Sequence, residues 1–141
     1  MVGVASVTVT RTIPTPVERV REAIADVETF MRAAGFDEVG LDGDRLRIAN
    51  TAGMFLEIEL DLELVERSDA ALAYEQREGI FREMRTVYRI EPADGGTTVT
   101  ATTEFEVDVA FAGPLLDASV VTRQRRAELR KQFDYLEGLA D

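Results

Sequence analysis

Hydrophobic and polar residues alternate along several stretches of the chain, most regularly in "MFLEIELDLELVE", residues 54–66. Successive side chains of a β-strand point to opposite faces of a sheet, so this stretch predicts a strand with one buried and one solvated face. Hydrophobic side chains occupy the predicted buried face, and acidic side chains occupy the other. The two sets are Met54, Leu56, Ile58, Leu60, Leu62 and Leu64, and Glu57, Glu59, Asp61 and Glu63.

Comparable alternation and turn residues predict six further strands. Asp42-Gly43-Asp44 is a hairpin signal, Pro92 is expected to end a strand, and "ADGGT" predicts the next turn. The connections after residue 36 are of hairpin length, so the sheet is expected to be antiparallel. The predicted strands cover residues 4–13, 36–41, 45–50, 70–78, 82–91 and 97–111.

Two short helices are predicted between the first and second strands. Thr15 is expected to cap the first helix, with Pro16 at its first position and Glu18 reaching back as in a capping box. The second covers about residues 27–34 and ends at Gly35, a residue typical of helix C-termini. Val17, Val20, Ile24 and Val27 form the apolar stripe of the first helix.

A long helix is predicted from Pro114 to about residue 137. At 1.5 Å per residue it is about 36 Å long, which nearly matches an extended strand of eleven residues. We therefore expect this helix to lie along the buried face of the sheet and to cover it. Its apolar stripe consists of Leu115, Ala118, Leu129, Phe133 and Leu136.

The composition narrows the possible chemistry. A chain of 141 residues with 45% hydrophobic residues is expected to form one domain, residues 1–141. It contains no cysteine and no histidine, so thiolate nucleophiles, Ser-His-Asp arrangements and the commonest metal ligands are absent. We expect neither a cofactor nor a metal.

The charge and the hydrophobic runs bear on partners and location. The net charge of −11 disfavours nucleic acid as a partner. No apolar run approaches the roughly 20 residues that span a bilayer. The start "MVGVASVTVTRT" lacks the pattern of a signal peptide, so we expect a cytoplasmic protein.

Lys131 is the only lysine, and all other basic residues are arginines. An acidic, lysine-poor surface suits a salt-rich, halophilic cytoplasm, where screening weakens self-repulsion. A genome composition that favours arginine codons explains the same pattern, and the sequence leaves both explanations open.

Two stretches resemble a known superfamily. "VTRTIPTPVERVREAIADVETF" resembles the opening strand and Pro-capped helix of the START-like (SRPBCC) superfamily, and "YRIEPADGGTTVTATTEFEV" resembles its penultimate hairpin. The resemblance implies an α+β helix-grip fold, in which a curved seven-stranded antiparallel sheet wraps around the long C-terminal helix. It also implies an apolar cavity between sheet and helix. No catalytic motif of that superfamily is visible in this chain.

Two neighbouring strands supply candidate residues for such a cavity. A three-residue turn at residues 79–81 places Glu78 opposite Arg82 and keeps the parity of the two strands. The tyrosines are either cavity residues or ordinary core residues, and Glu78 with Arg82 is either a site pair or a solvated ion pair. The inward-facing set is Leu72, Tyr74, Gln76, Glu78, Arg82, Met84, Thr86 and Tyr88.

The C-terminal helix places polar residues on or beside its apolar stripe, namely Thr122, Arg125 and Arg126. An unpaired buried guanidinium costs several kcal/mol. The arginines therefore either extend to the rim, or meet an acid inside, or bind an anionic ligand such as a carboxylate. The sequence leaves these three alternatives open.

The sequence predicts a set of ligand-binding residues and no catalytic or metal-binding residue. Alternate residues of a strand are about 7 Å apart, so the acidic row at residues 57–63 is expected to be a solvated face rather than a calcium site. The candidate set is Tyr74, Gln76, Arg82, Met84, Tyr88, Phe105, Arg125, Arg126, Leu129 and Phe133.

Three functions remain open. The first is binding or transport of a small hydrophobic ligand, lipid-like or polyketide-like and possibly carboxylate-bearing, by a monomer or weak homodimer. The second is a polyketide cyclase or dehydratase that uses Tyr74, Tyr88 or Glu78 as acid or base. The third is a module that binds a protein partner in an assembly. The missing histidine and cysteine favour the first.

Overall fold

The structure, a computed structural model, describes residues 4–52, 56–108 and 118–140. Within these ranges the chain forms a seven-stranded sheet and three helices. The strands are β1 (Ala5–Ile13), β2 (Glu38–Asp42), β3 (Arg45–Ala52), β4 (Leu56–Leu64), β5 (Leu72–Glu78), β6 (Phe81–Ala93) and β7 (Gly96–Val107). The helices are α1 (Val17–Ala25), α2 (Val27–Arg32) and α3 (Ala118–Glu137).

The strands lie in the order β1-β7-β6-β5-β4-β3-β2, and every neighbouring pair is antiparallel. After β1, the chain crosses to the far edge of the sheet through α1 and α2. From β2 onward, each strand pairs with the next one along the chain. The helix α3 packs on the concave face, where its buried residues meet those of the sheet. The predicted α+β architecture, with a long C-terminal helix and two short helices after the first strand, is confirmed.

The two faces of the β1–β7 pair show why the alternation predicts this fold. Val7 pairs with Thr103 and Val9 with Ala101 on the helix side of the sheet. On the opposite face, threonines pair across the two strands through hydrogen bonds of 2.9 to 3.3 Å between their hydroxyls. These pairs are Thr8–Thr102, Thr10–Thr100 and Thr12–Thr98.

Some predicted boundaries differ from the structure. β6 continues through Pro92, which pairs with Thr97, and ends at Ala93. Within the described residues α3 begins at Ala118, which is exposed rather than on the buried stripe. The predicted helix start at residues 114–117, the strand end at residues 109–111 and Met54 lie outside the described residues.

The predicted capping box at α1 is wrong. Pro16 is the N-cap residue rather than the first helical residue, and no side chain caps this helix. The Thr15 hydroxyl instead donates a hydrogen bond of 2.7 Å to the carbonyl of Leu136 at the end of α3. Thr15 is fully buried, so its hydroxyl satisfies a carbonyl of a neighbouring helix instead of an amide of its own.

Gly96 closes this same end of the molecule. A Cβ atom at Gly96 would lie 1.9 Å from the carbonyl oxygen of Ile13. The next residue, Thr97, donates a hydrogen bond of 2.7 Å from its hydroxyl to the carbonyl of Thr15. A residue without a side chain therefore lets the start of β7 approach the end of β1 closely.

Candidate functional site

A cavity of about 130 Å³ lies between the N-terminal half of α3 and the concave face of the sheet. Strands β3 to β7 and the turn between β5 and β6 contribute to its wall. The lining side chains are Phe36, Ile48, Asn50, Ile58, Leu60, Tyr74, Ile80, Phe81, Met84, Thr103, Phe105, Val120, Val121, Gln124, Arg125 and Glu128.

The sheet side of the cavity is mainly apolar. Ile48 of β3 and Leu60 of β4 pair across their strands, and both project toward the helix. Phe105 of β7 lies beside Phe81, with ring centroids 5.5 Å apart. These residues belong to the hydrophobic sets of the alternating strands, so the same pattern that builds the core builds this wall.

Arg125 of α3 ties the polar side of the cavity together. Its Nε donates to the Thr103 hydroxyl at 3.0 Å, and its Nη1 donates to Oε1 of Glu128 at 3.0 Å. Its Nη2 donates to the hydroxyl of Tyr74 and, at 3.3 Å, to that of Thr86. Arg125 is only 7% exposed, and these four acceptors replace water around its guanidinium.

Glu128 balances the charge of Arg125. While Oε1 accepts from Arg125, Oε2 accepts from the amide of Asn50 at 3.2 Å and from that of Gln124 at 3.3 Å. Arg125 and Glu128 are the only charged side chains among the described residues that line the cavity. The described wall is therefore polar on one side and carries no net charge.

One donor of Arg125 remains. A guanidinium has five N–H groups. Four of them serve Thr103, Glu128, Tyr74 and Thr86. For the second N–H of Nη1, the described residues supply no hydrogen-bond acceptor.

The surroundings of Arg125 keep it protonated. Burial lowers its pKa, but the groups that face it, Tyr74, Tyr88 and Glu128, outweigh burial and raise the pKa above its ordinary value. Glu128 is its partner in a buried salt bridge, with Oε1 3.0 Å from Nη1 of Arg125. The cavity wall therefore contains an ion pair and not two neutral groups.

A second buried network lies behind the cavity wall. The Tyr88 hydroxyl donates to Oε1 of Gln132 at 2.6 Å, and Nε2 of Gln132 donates to the carbonyl of Phe30 at 3.2 Å. The rings of Phe30 and Tyr88 meet edge to face at 5.1 Å. Burial, followed by the proximity of Tyr74, raises the pKa of Tyr88 well above its ordinary value of 10.0, so Tyr88 stays a neutral donor.

Four of the ten predicted site residues line the cavity, namely Tyr74, Met84, Phe105 and Arg125. Tyr88, Leu129 and Phe133 are fully buried in the core and are not part of the described lining. Arg126 is half-buried and also lies outside it. Of the three alternatives for the buried arginines, the geometry of Arg125 matches the second, because it meets an acid, Glu128, inside the protein.

The remaining two predicted residues lie at the β5–β6 turn. Gln76 donates from Nε2 to the carbonyl of Phe81 at 2.8 Å and accepts from its amide at 3.3 Å, so it closes the turn. The predicted partner of Arg82 is wrong: Arg82 is exposed and lies 3.5 Å from Glu106 rather than pairing with Glu78. The β6–β7 register shifts between Phe81 and Glu83, and sequence alternation alone does not predict such a bulge.

Residues that the sequence arguments missed complete the site. Glu128 could have been found, because it lies three positions after Arg125 on the same helix. Asn50 and Phe36 come from distant parts of the chain, and no local signal marks them. Gln132 lies on the buried side of α3. Because buried polar side chains are almost always hydrogen-bonded, its position in the sequence implies a buried partner, which the structure shows to be Tyr88.

Two side chains of the acidic strand face form ion pairs. Glu59 lies 2.9 Å from Arg47, and Glu63 pairs with Arg77. In the described ranges no group of three or more acidic side chains is arranged to hold a metal ion. Nor does any described helix combine the length and hydrophobicity that crossing a membrane requires.

The fold matches several solved structures. TTHA0849 from Thermus thermophilus is 21% identical, with a TM-score of 0.73 over 97% of this chain and 100% of that one. The Zhui aromatase/cyclase from Streptomyces sp. R1128 is 23% identical, with a TM-score of 0.70 over 96% and 94%. The di-domain ARO/CYC StfQ from the steffimycin biosynthetic pathway is 9% identical, with a TM-score of 0.74 over 97% and 50%. At these identities the likeness establishes the fold alone.

The family of the chain is identified from its sequence. No curated protein matches the chain. A family model described as polyketide cyclase / dehydrase and lipid transport matches residues 4–138, which is nearly the whole sequence. The START-like resemblance of the two quoted stretches is thereby confirmed, and the chain belongs to the polyketide cyclase / dehydrase and lipid transport family.

Proposed function

We propose that the protein binds a small, mainly apolar molecule in the cavity between α3 and the sheet. The observation that carries this proposal is the cavity itself, whose volume is about 130 Å³. An apolar cavity of about 150 Å³ is large enough to bind benzene. The ligand is therefore a single-ring molecule, or one ring of a larger polyketide-like or lipid-like molecule.

The composition of the wall supports this proposal. Ligand sites combine apolar walls with a few polar groups that fix orientation. Here Ile48, Leu60 and Phe105 offer apolar contact, while Arg125 offers an N–H without an acceptor among the described residues. The description of the family includes lipid transport, and a lipid is an apolar ligand.

Calorimetric titration with toluene and para-cresol tests the proposal, with native mass spectrometry to detect any ligand that co-purifies. Val121 lines the cavity from α3, so Val121→Phe is expected to fill it and to weaken binding at least about tenfold. Val27→Phe is the matched control, because Val27 is half-buried on α2 and lies outside the described lining. Equal binding by the two variants, or no binding by the unmodified protein, would contradict the proposal.

One observation favours a second candidate, a cyclase or dehydratase. Tyr74 lines the cavity and its hydroxyl accepts a hydrogen bond from Arg125, which is a suitable arrangement for a group that transfers a proton. Glu78 is exposed and Tyr88 is sealed behind the wall, so Tyr74 is the candidate among the three predicted. Tyr74→Phe is then expected to keep ligand affinity and to abolish turnover of a polyketide substrate. Undiminished turnover would reject this role.

The third candidate, a partner-binding module, has less support. The exposed large hydrophobic residues among those described are Val4, Leu41 and Val120. Val4 immediately precedes β1 and Leu41 lies on β2, and these strands are the opposite edges of the sheet. No described apolar patch therefore favours this function over ligand binding.

A further inference from the structure

We propose that Glu128 makes the cavity select uncharged ligands with a hydrogen-bond-accepting oxygen, such as amides, ketones or phenols, over carboxylates of the same shape. This inference rests on the proposed function, because it names the ligand class of the same cavity. It assigns Glu128 a role in specificity through its effect on Arg125.

First, the cavity wall carries a neutralised cation. The guanidinium of Arg125 is the group that would otherwise attract a carboxylate. Its Nη1 already lies 3.0 Å from Oε1 of Glu128, and both residues are buried. A carboxylate that enters the cavity therefore meets a neutral pair and not a free cation.

The second step is the cost of a second anion. A carboxylate ligand in contact with Nη1 of Arg125 would lie beside Glu128, which accepts from the same nitrogen. Its charge would be buried next to a like charge with no further cation in the described wall. Burial without an opposite charge and juxtaposition of like charges both disfavour binding.

The third step is the donor that remains. One N–H of Nη1 has no acceptor among the described residues. A neutral carbonyl or phenol oxygen accepts this hydrogen bond without bringing a charge into the cavity. The neutral ligand thus gains the polar contact that the anion gains, and it avoids the repulsion.

Glu128 is also held in place for this role. Oε2 accepts hydrogen bonds from Asn50 of β3 and from Gln124, one turn earlier on α3. The carboxylate is thereby fixed from three directions, and it cannot swing away from Arg125 to admit an anion without breaking these contacts. The selection is a property of the folded wall and not of one flexible side chain.

Calorimetric titration with benzamide and benzoate at neutral pH tests the inference, because these two molecules have nearly the same shape and differ in charge. We expect the unmodified protein to bind benzamide at least about tenfold more tightly than benzoate. Glu128→Gln should lower this ratio at least about tenfold, because Arg125 then lacks its charge partner. Glu137→Gln is the matched control, since it removes one negative charge from an exposed position of the same helix and should leave the ratio unchanged.

A second variant guards against misfolding of Glu128→Gln. Gln124 is exposed on α3 and contacts Glu128, so Gln124→Lys adds a cation beside the carboxylate at little risk to the fold. It should shift the preference toward benzoate in the same direction but to a smaller extent. A benzamide-to-benzoate ratio that is the same in Glu128→Gln, Gln124→Lys and Glu137→Gln would overturn the inference.

The outcomes also separate this inference from the proposed function. If the unmodified protein binds benzamide and benzoate equally and Val121→Phe abolishes both, the cavity binds ligands but the selection is wrong. If neither molecule binds and the toluene and para-cresol titrations are also negative, the proposed function fails and the inference fails with it. If toluene binds while benzamide does not, the inference alone is overturned.

Discussion

The two halves of α3 meet the sheet in different ways. In the C-terminal half, Leu129, Phe133 and Leu136 are fully buried among the side chains of the sheet. Closer to the N-terminus, Val121, Arg125 and Glu128 face a cavity, and Arg125 and Glu128 make polar contacts to the sheet. One helix therefore closes the core at one end and lines a ligand-sized space at the other.

At the closed end, polar contacts hold the C-terminal half of α3 to the rest of the protein. The Thr15 hydroxyl donates to the carbonyl of Leu136, and Arg11 lies over the ring of Phe133 at 5.7 Å while it pairs with Asp134 at 2.7 Å. The main stabilisation at this end comes from apolar burial, because Leu129, Phe133 and Leu136 are fully buried. The apolar contacts that hold α3 to the sheet are thus concentrated away from the cavity. Residues of the cavity wall can therefore be varied for binding at a smaller cost in folding stability.

Phe133→Ala breaks the closed end and has the largest expected effect. Removing a fully buried phenylalanine should lower the free energy of unfolding by about 4 kcal/mol. Phe36→Ala is the comparison at the cavity, where a half-buried ring buries less area and the loss should be about 1 to 2 kcal/mol. Urea unfolding measures both, and equal losses would contradict the difference between the two ends.

Arg125→Met removes the cation of the ion pair at the cavity. It is expected to lower the free energy of unfolding by about 3 kcal/mol, because Glu128 is left buried without its cation. The double variant Arg125→Met with Glu128→Leu should recover most of this loss, since replacing a whole buried ion pair by apolar side chains is often nearly neutral. Urea unfolding of the single and double variants measures the difference. A double variant no more stable than the single one would show that the pair is not the origin of the loss.

Tyr88 is expected to have a smaller effect on stability, and this effect depends on pH. Burial raises the pKa of Tyr88 in the folded protein well above 10.0, whereas the unfolded chain ionises near that value. The free energy of unfolding is therefore unaffected by this group below about pH 10. It falls as the pH rises toward the pKa of Tyr88 in the folded protein, by about 1 kcal/mol at pH 11. Tyr88→Phe lacks this decline, and thermal melting between pH 8 and pH 11 measures it. Parallel curves for the two proteins would contradict the prediction.

Much of the architecture follows from the alternation in the sequence. The hydrophobic period of two in residues 54–66 and 97–107 predicts strands with one buried face, and the structure places Leu60, Leu62 and Phe105 on that face. The β5–β6 pairing is also predictable: Tyr74 lies opposite Thr86, as the turn parity requires. Local rules suffice here because a strand's faces are fixed by backbone geometry alone.

The rest depends on contacts between distant residues. Thr15 has the sequence of a helix cap, yet its hydroxyl finds the carbonyl of Leu136, which is 121 residues away. Asn50 reaches Glu128 across the cavity, and Arg82 is turned outward by a bulge. A single sequence carries no signal for these partners, so it predicts that an arginine such as Arg125 needs a partner but not which side chains supply it.

The guanidinium of Arg125 also joins three adjacent strands, because its acceptors Tyr74, Thr86 and Thr103 belong to β5, β6 and β7. A molecule that takes a hydrogen bond from this one group changes the electrostatic environment of all three strands at once. Occupancy of the cavity should therefore be readable from outside it, as a concerted change in amide hydrogen exchange along the middle of the sheet. Such a signal requires no knowledge of the natural ligand, so it offers a way to screen for that ligand.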